Sequence, residues 1–164
     1  CSFVTGARAD YLGTIEIDGV DIRTFDSRRW AELRCGAIAL LPQEMRLFPE
    51  LTALENIEIK NRLTGHKTHR QIMDMLELLG IPEKADALAG RLSVGQQQRV
   101  AIIRSICQPF DFLLLDEPVS HLDERNNEIV AHLLQQEATA QGAAIIATSV
   151  GNHIKLNYNR TLLL

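Results

Sequence analysis

Apolar residues in the first third of the chain alternate with polar residues or form short runs, which is the spacing of β-strands. In GTIEIDGVDI (13–22), isoleucines alternate with acidic residues up to a turn at Asp18-Gly19. This pattern predicts an antiparallel hairpin with one face buried. AIALLPQE (37–44) contains a compact apolar run that stops at a proline, which predicts a strand with Gln43 on the loop after it.

The middle of the chain has helical spacing instead. Thr52 and Glu55 form a capping-box pattern before an apolar stretch of helical period. The segment RQIMDMLELLG (70–80) has the same period and ends in a glycine, as helices often do. Residues 45–95 are therefore expected to form a helical subdomain.

Three later segments predict further strands. DFLLLDEP (111–118) and GAAIIATS (142–149) are apolar runs typical of buried strands in a parallel sheet, and a helical pattern that follows Asp123 separates them. RTLLL (160–164) predicts a last strand. The order of strands and helices predicts an α/β fold, in which a parallel sheet is joined by right-handed crossovers.

The segment RLSVGQQQRVAI (91–102) has two interpretations. Ser93 followed by Gln96 is a second capping box, which satisfies the first N–H groups of a buried helix. Gly95 has no side chain, so the same helix start directs free N–H groups and the positive end of the helix dipole toward whatever lies in front of Ser93. The segment is therefore suited to begin a helix, to hold a phosphate, or to do both.

Composition narrows the class of protein. With 164 residues, 46% of them hydrophobic and 23% charged, the chain can bury one core, so residues 1–164 are expected to be a single domain. A formal net charge of −4 argues against an extended nucleic-acid surface. The three cysteines include no CxxC pair, which suggests neither a disulfide framework nor a zinc site. No apolar stretch reaches the about 20 residues that span a bilayer.

Polar residues that could take part in binding or catalysis follow the predicted strands in a fixed order. Taken alone, each has a structural explanation: Asp116 and Glu117 can cap the next element, and Asp123 is a good N-cap for the helix after it. Together with the loop residue Gln43 and the helix start at Ser93, they form an ordered set that capping alone does not explain.

In this order the motifs resemble those of the nucleotide-binding domain of ABC transporters, the ATPase subunits that drive membrane pumps. The resemblance spans nearly all of the chain and implies a P-loop NTPase-like sheet with an antiparallel hairpin and a helical subdomain. The matching segments are LSVGQ (92–96), similar to the LSGGQ signature with Val94 in place of a glycine, FLLLDEP (112–118), similar to the Walker B strand, SHLD (120–123), similar to the D-loop, and LLPQ (40–43), similar to the Q-loop.

The resemblance implies that the cofactors are ATP and Mg²⁺ and assigns catalytic roles. Asp116 would hold Mg²⁺ through water, and Glu117 would polarise the attacking water. Gln43 would touch the metal and relay its state to a permease. Phosphoryl transfer needs such charge neutralisation and water positioning, with little covalent help from the protein.

The resemblance also implies partners. Ser93, Gly95 and Gln96, with Asp123 of the D-loop, would contribute to ATP sites shared with a second nucleotide-binding domain packed head to tail. The other partner would be a membrane permease. The protein would then be cytoplasmic and peripheral to the inner membrane through that permease, and no nucleic-acid partner is expected.

Two departures separate the chain from the family pattern. The sequence contains no G-x-x-x-x-G-K-[ST] loop, whose backbone and lysine cradle phosphates and which in the family would lie just before CSFVTG (1–6). The chain is therefore expected to be truncated, without the first strand and the phosphate loop. Ser149 replaces the family's switch histidine, and His153 is four residues out of register. The chain alone is expected to be inactive.

Two functions remain open from the residues. The first is an ATPase subunit that couples ATP binding and hydrolysis to a permease, which the intact Glu117 favours. The second is a degenerate, non-catalytic domain that acts as a structural or regulatory partner of a competent ATPase subunit, which Val94 and Ser149 favour.

Overall fold

The structure is a computed structural model that describes residues 1–162. Within that range the chain forms five strands, five α-helices and three short 3-10 turns. The strands are β1 (Glu16–Ile17), β2 (Val20–Asp21), β3 (Ile38–Leu41), β4 (Phe112–Asp116) and β5 (Ala144–Thr148). The helices are α1 (Ser27–Gly36), α2 (Ala53–Thr64), α3 (His69–Leu78), α4 (Val94–Ile106) and α5 (Glu124–Gln141).

The predicted hairpin is confirmed. Strands β1 and β2 pair antiparallel around Asp18 and Gly19, which have φ angles of 53° and 75°. Positive φ at both turn positions gives a turn whose twist matches that of the paired strands, and an aspartate followed by glycine tolerates it well. The face expected to be buried is only partly covered, since Ile17 is half-buried and Val20 is 49% exposed.

The larger sheet confirms the predicted α/β fold class. Strands β3, β4 and β5 are parallel, and β4 lies in the centre. Leu113 and Leu115 on β4 are fully buried, because helices and neighbouring strands surround them. The carboxyl ends of β4 and β5 meet where Asp116 pairs in register with Thr148, which is the edge where open α/β sheets bind ligands.

Two strand predictions need correction. The segment 142–149 does form β5, but β5 is not buried, and its Ile146 is 47% exposed. Within residues 1–162, β5 pairs with β4 on one side only, so its other edge has no neighbouring strand. Residues 160–162 are not a strand, and the last two residues of the predicted strand 160–164 lie outside the described part of the chain.

The helix starts follow from local capping chemistry. The predicted box at α2 is present: Glu55 N–H donates to Thr52 Oγ1 over 3.1 Å, and Thr52 N–H donates to Glu55 Oε2 over 2.8 Å. A further box, formed by Thr68 and Gln71 at the start of α3, was not predicted. Gly80 follows α3 with a φ of 67°, the left-handed conformation that glycine adopts without steric cost.

Helix α4 is the centre of the hydrophobic core, as its apolar circumference predicts. It packs against α2, α3, α5 and β3, and Ile102, Ile103 and Ile106 are completely buried. Ile57 of α2 is buried on the same side. Because Ser93 caps α4 and α4 lies against the sheet, the core holds this helix start in a fixed relation to the carboxyl ends of the strands.

In the part of the chain that the structure describes, no helix combines the length and the apolar character that crossing a bilayer requires.

Candidate functional site

The carboxyl end of β4 holds the first acidic residue of the site. Thr148 Oγ1, on the neighbouring strand β5, donates a hydrogen bond of 2.7 Å to Asp116 Oδ1. Asp116 is half-buried. The bond holds one carboxylate oxygen against the sheet and leaves Oδ2 with no hydrogen-bond partner among residues 1–162.

Glu117 directly follows β4 and has an unusual backbone conformation. Its φ is 52°, in the left-handed region that costs a non-glycine residue roughly 1–3 kcal/mol. Two contacts hold it there: its N–H donates to Thr148 O over 3.0 Å, and its Oε1 accepts from Val150 N–H over 2.6 Å. Strain of this kind concentrates at functional sites, and here it directs a carboxylate to the end of the sheet.

Ser149 follows β5 and is half-buried. Its Oγ lies 2.5 Å from Nδ1 of His153. His153 is out of register in the sequence, but the chain folds back after β5 and brings its ring onto Ser149.

The start of α4 forms a separate group. Gln96 N–H donates to Ser93 Oγ over 3.3 Å, and Ser93 N–H donates to Gln96 Oε1 over 3.0 Å, which confirms the capping box. Ser93 is exposed. A Cβ at Gly95 would lie 3.1 Å from His121 O, so a side chain there would crowd the loop before α5. The absence of a side chain at Gly95 therefore has a packing reason in addition to any ligand.

Gln43 lies in an exposed turn after β3, as predicted. Two following residues, Met45 and Arg46, have φ angles of 56° and 52°. Arg104 of α4 holds this strained turn, since its guanidinium donates to Met45 O and, over 2.8 Å, to Arg46 O. The turn that bears Gln43 is therefore attached to the same helix that begins at Ser93.

Asp123 is the N-cap of α5. Its Oδ1 accepts from Asn126 N–H over 2.8 Å, and its Oδ2 accepts from Asn126 Nδ2 over 2.9 Å. These two bonds lower the pKa of the exposed Asp123 carboxyl, the backbone N–H having the larger effect. In the structure, Asp123 therefore acts as a cap, and both carboxylate oxygens are engaged.

The candidate residues thus separate into those at the carboxyl ends of β4 and β5 and those on other elements. Asp116 and Glu117, at the carboxyl end of β4, are hydrogen-bonded to Thr148 and Val150, the two residues that flank Ser149 at the end of β5. Among residues 1–162, no hydrogen bond joins Gln43, Ser93 or Asp123 directly to either carboxylate.

Comparison with known proteins decides the family. A model of the family described as ABC transporter matches residues 1–120. The chain belongs to the ABC transporter family. It is similar to the ABC transporter ATP-binding protein YtrE of Bacillus subtilis, with 32% identity over 148 residues that cover 88% of this chain and 64% of that protein.

Other relatives extend the family assignment. The lipoprotein-releasing system ATP-binding protein LolD of Shewanella frigidimarina is 28% identical over 153 residues, 92% of this chain and 64% of that protein. A structure of the ATP-binding cassette MJ0796, a dimer in a post-hydrolysis state bound to ADP and Pi, superposes with a TM-score of 0.74 at 26% identity, covering 90% of this chain and 67% of that one. The chain therefore spans 64% of the length of YtrE and of LolD.

These relatives confirm the predicted ABC cassette fold. The family is one of nucleotide-binding ATPase domains, and both relatives bear the name of ATP-binding proteins. The alternative of a non-catalytic, regulatory domain is therefore not favoured.

One residue that links the parts of this ABC cassette was missed in the sequence. Gln98 of α4 is buried, and its Nε2 donates to Pro118 O over 2.6 Å and to Glu117 O over 3.3 Å. Its Oε1 accepts from His121 N–H over 3.1 Å. Gln98 thus connects the helix that begins at Ser93 to the loop after β4. The sequence signal was a glutamine within an otherwise apolar helix face, which predicts a buried polar group with several partners.

Proposed function

We propose that the protein containing this chain is the ATP-binding subunit of an ABC transporter, which couples the binding and hydrolysis of ATP to a membrane permease. The observation that supports this most is the pair of carboxylates at the end of β4, held by Thr148 and by Val150 N–H. A rigid acidic pair at that edge suits a reaction in which positioning and electrostatics supply nearly all of the catalysis.

The residues at this edge fit Mg²⁺. Magnesium prefers oxygen ligands and is usually held by one or two carboxylates together with substrate phosphates and waters. Asp116 offers its unpartnered Oδ2, and the exposed side chain of Gln43 offers an amide oxygen. Residues 1–162 contain no cluster of three or more His, Cys, Asp or Glu side chains that would form a metal cage. When bound, Mg²⁺ neutralises phosphate charge.

Glu117 is the residue we assign to the attacking water. A general base must be held within hydrogen-bond reach of the group that it activates. The bond from Val150 N–H engages Oε1 and restricts rotation of the carboxylate, so Oε2 keeps a defined direction for a water molecule. Ser149, at the position after Thr148, belongs to the same catalytic group.

A second copy of the cassette completes the proposed site. The start of α4 presents the exposed Ser93 together with the half-buried Gly95 and Gln96, and a helix N-terminus with free N–H groups favours a phosphate. Asp123 lies on the loop beside it. The related cassette MJ0796 is a dimer bound to ADP and Pi, which supports a pair of cassettes here. In our proposal the pair is head to tail, with ATP between the Ser93 end of one copy and the carboxylates of the other.

The remaining assignments follow from the same proposal. Residues 1–164 form one nucleotide-binding domain, in which 45–95 is the helical subdomain. The Gln43 turn relays the state of the site to the permease, which holds the protein at the cytoplasmic face of the inner membrane. No nucleic-acid partner is proposed.

Titration calorimetry with Mg-ATP tests the nucleotide site. The 164-residue chain is expected to bind more weakly than about 1 mM, because its sequence has no phosphate-cradling loop. The full-length protein, by which we mean this chain completed by a G-x-x-x-x-G-K-[ST] loop before Cys1, is expected to bind at least about tenfold more tightly, because that loop cradles the phosphates. Tight binding by the 164-residue chain would show that the site has been misplaced, and no binding by the full-length protein would contradict the proposed function.

A further inference from the structure

Gln98 is a polar residue in the buried part of α4. It is 3% exposed, and residues 100–103, which follow it on the helix, are buried apolar residues. A primary amide in such surroundings costs free energy unless its donors and its acceptor are hydrogen-bonded. The amide nitrogen and oxygen of Gln98 both have partners, and every partner is a backbone group of the loop 117–121. The side chain is therefore committed to the loop after β4.

The three partners fix the orientation of the Gln98 amide. Nε2 donates to Pro118 O over 2.6 Å and to Glu117 O over 3.3 Å, and Oε1 accepts from His121 N–H over 3.1 Å. Because two partners are carbonyl oxygens and the third is an N–H, only one orientation of the amide satisfies them. The amide thus joins both ends of the loop to α4.

The loop after β4 lies close against α4. A Cβ at Gly95 would be 3.1 Å from His121 O, which is tighter than an ordinary van der Waals contact. Ser120 closes the loop from within, since its Oγ donates to Glu117 O over 3.3 Å. The carbonyl oxygen of Glu117 therefore accepts hydrogen bonds both from the loop and from α4.

These contacts hold the strained backbone of Glu117 on one side, and the sheet holds it on the other. Its φ of 52° is a conformation that a non-glycine residue keeps only where its surroundings enforce it. Glu117 N–H donates to Thr148 O over 3.0 Å, and Glu117 O accepts from Gln98. With the backbone fixed on both sides, the direction in which the side chain leaves the main chain is fixed as well.

We propose that Gln98 is a positioning residue for ATP hydrolysis, which holds the backbone of Glu117 so that the Glu117 carboxylate meets the attacking water. This inference rests on the proposed function, in which Glu117 activates that water. The bonds from Gln98 go to the backbone, so its effect on the reaction passes through Glu117. A misplacement of about 1 Å can cost a reacting group roughly a hundredfold in rate.

Steady-state ATP hydrolysis by the full-length protein tests the inference. Gln98→Met keeps the length of the side chain and removes the amide. It is expected to lower kcat at least about tenfold and to leave KM within about twofold, because the base is misplaced while the nucleotide contacts remain. Gln98→Glu keeps an acceptor for His121 N–H but, when ionised, has no donor for the carbonyl oxygens. It is expected to lower kcat similarly, and it carries the test if Gln98→Met does not fold.

Gln108→Met is the matched control. Gln108 is a second buried glutamine, 1% exposed, and its Nε2 donates to Ile38 O over 3.2 Å at the amino end of β3. The control therefore removes the same kind of bond at the opposite end of the sheet. Both variants are expected to lower Tm, because each leaves buried backbone groups unpaired. Below the lower Tm, Gln108→Met is expected to keep kcat within about twofold of the unmodified value.

A double variant shows whether Gln98 acts through Glu117. Adding Gln98→Met to Glu117→Gln is expected to lower the residual turnover by no more than about twofold, because the base that Gln98 positions is already absent. A merely structural role would add its own loss to that of Glu117→Gln.

The inference is overturned if the folded Gln98 variants keep kcat within about twofold, or if Gln108→Met loses as much as Gln98→Met. It is also overturned if Gln98→Met costs Glu117→Gln as much as it costs the unmodified protein. Failure of the proposed function gives a different result, since the unmodified full-length protein would then neither bind nor hydrolyse ATP. Normal hydrolysis that Gln98→Met leaves unchanged rejects the role of Gln98 alone.

Discussion

Replacing Glu117 with glutamine in the full-length protein is expected to lower ATP turnover about a thousandfold, the scale on which a positioned general base contributes. Glutamine preserves the size of the side chain and can still accept the hydrogen bond from Val150 N–H. It cannot take a proton from water. Phosphate release under saturating Mg-ATP measures the loss, and calorimetry is expected to show that ATP binding persists.

Asp111→Asn provides the control for that experiment. Asp111 is an exposed acid next to the amino end of β4, so the same chemical change is made at the opposite end of the strand. Turnover by Asp111→Asn is expected to match that of the unmodified protein. Substantial activity in Glu117→Gln would mean that another residue activates the water.

Ser93→Arg is expected to abolish ATP-driven association of two copies and to leave each copy folded. A long cation would replace a short hydroxyl at a helix start that we propose faces the phosphates of a partner-bound ATP. The loss of the cap costs only about 1 kcal/mol, which the core around α4 can absorb. Light scattering with ATP, in the Glu117→Gln background that prevents hydrolysis, measures association directly.

Thr68→Arg is the matched control for the cap. Thr68 forms the same kind of box at the start of α3, where Gln71 N–H donates to Thr68 Oγ1 over 3.3 Å, equal to the corresponding distance at Ser93. This variant is expected to associate normally. If both variants lose association, or neither does, Ser93 is only a helix cap.

Features encoded within a few residues could be predicted from the sequence. The turn at Asp18-Gly19 and the capping boxes at Thr52 and Ser93 depend on side chains and backbone groups that are close along the chain. The apolar run of β4 predicted a strand covered on both faces, and its three leucines, Leu113, Leu114 and Leu115, are buried.

Features that depend on contacts between distant residues could not be predicted from the sequence. An apolar run does not reveal whether a neighbouring strand is present, and within residues 1–162 β5 lies at an edge of the sheet. The bonds from Gln98 to Pro118 O and from Asn127 to His153 O connect residues 20 and 26 positions apart. The position of His153 depends on such a contact, so its place in the sequence, four residues after Ser149, did not predict that its ring would contact Ser149.

Complementation between two inactive variants tests the shared site most directly. In a head-to-tail dimer, Ser93 of one copy and Glu117 of the other serve the same ATP, so a mixed dimer of Ser93→Arg and Glu117→Gln retains one site with both residues intact. Full-length copies of the two variants, mixed before ATP is added, are expected to regain turnover that neither has alone. A copy with both substitutions, mixed with unmodified protein, is expected to form mixed dimers in which both sites are inactive. A mixture of the single variants that stays inactive would contradict the shared site.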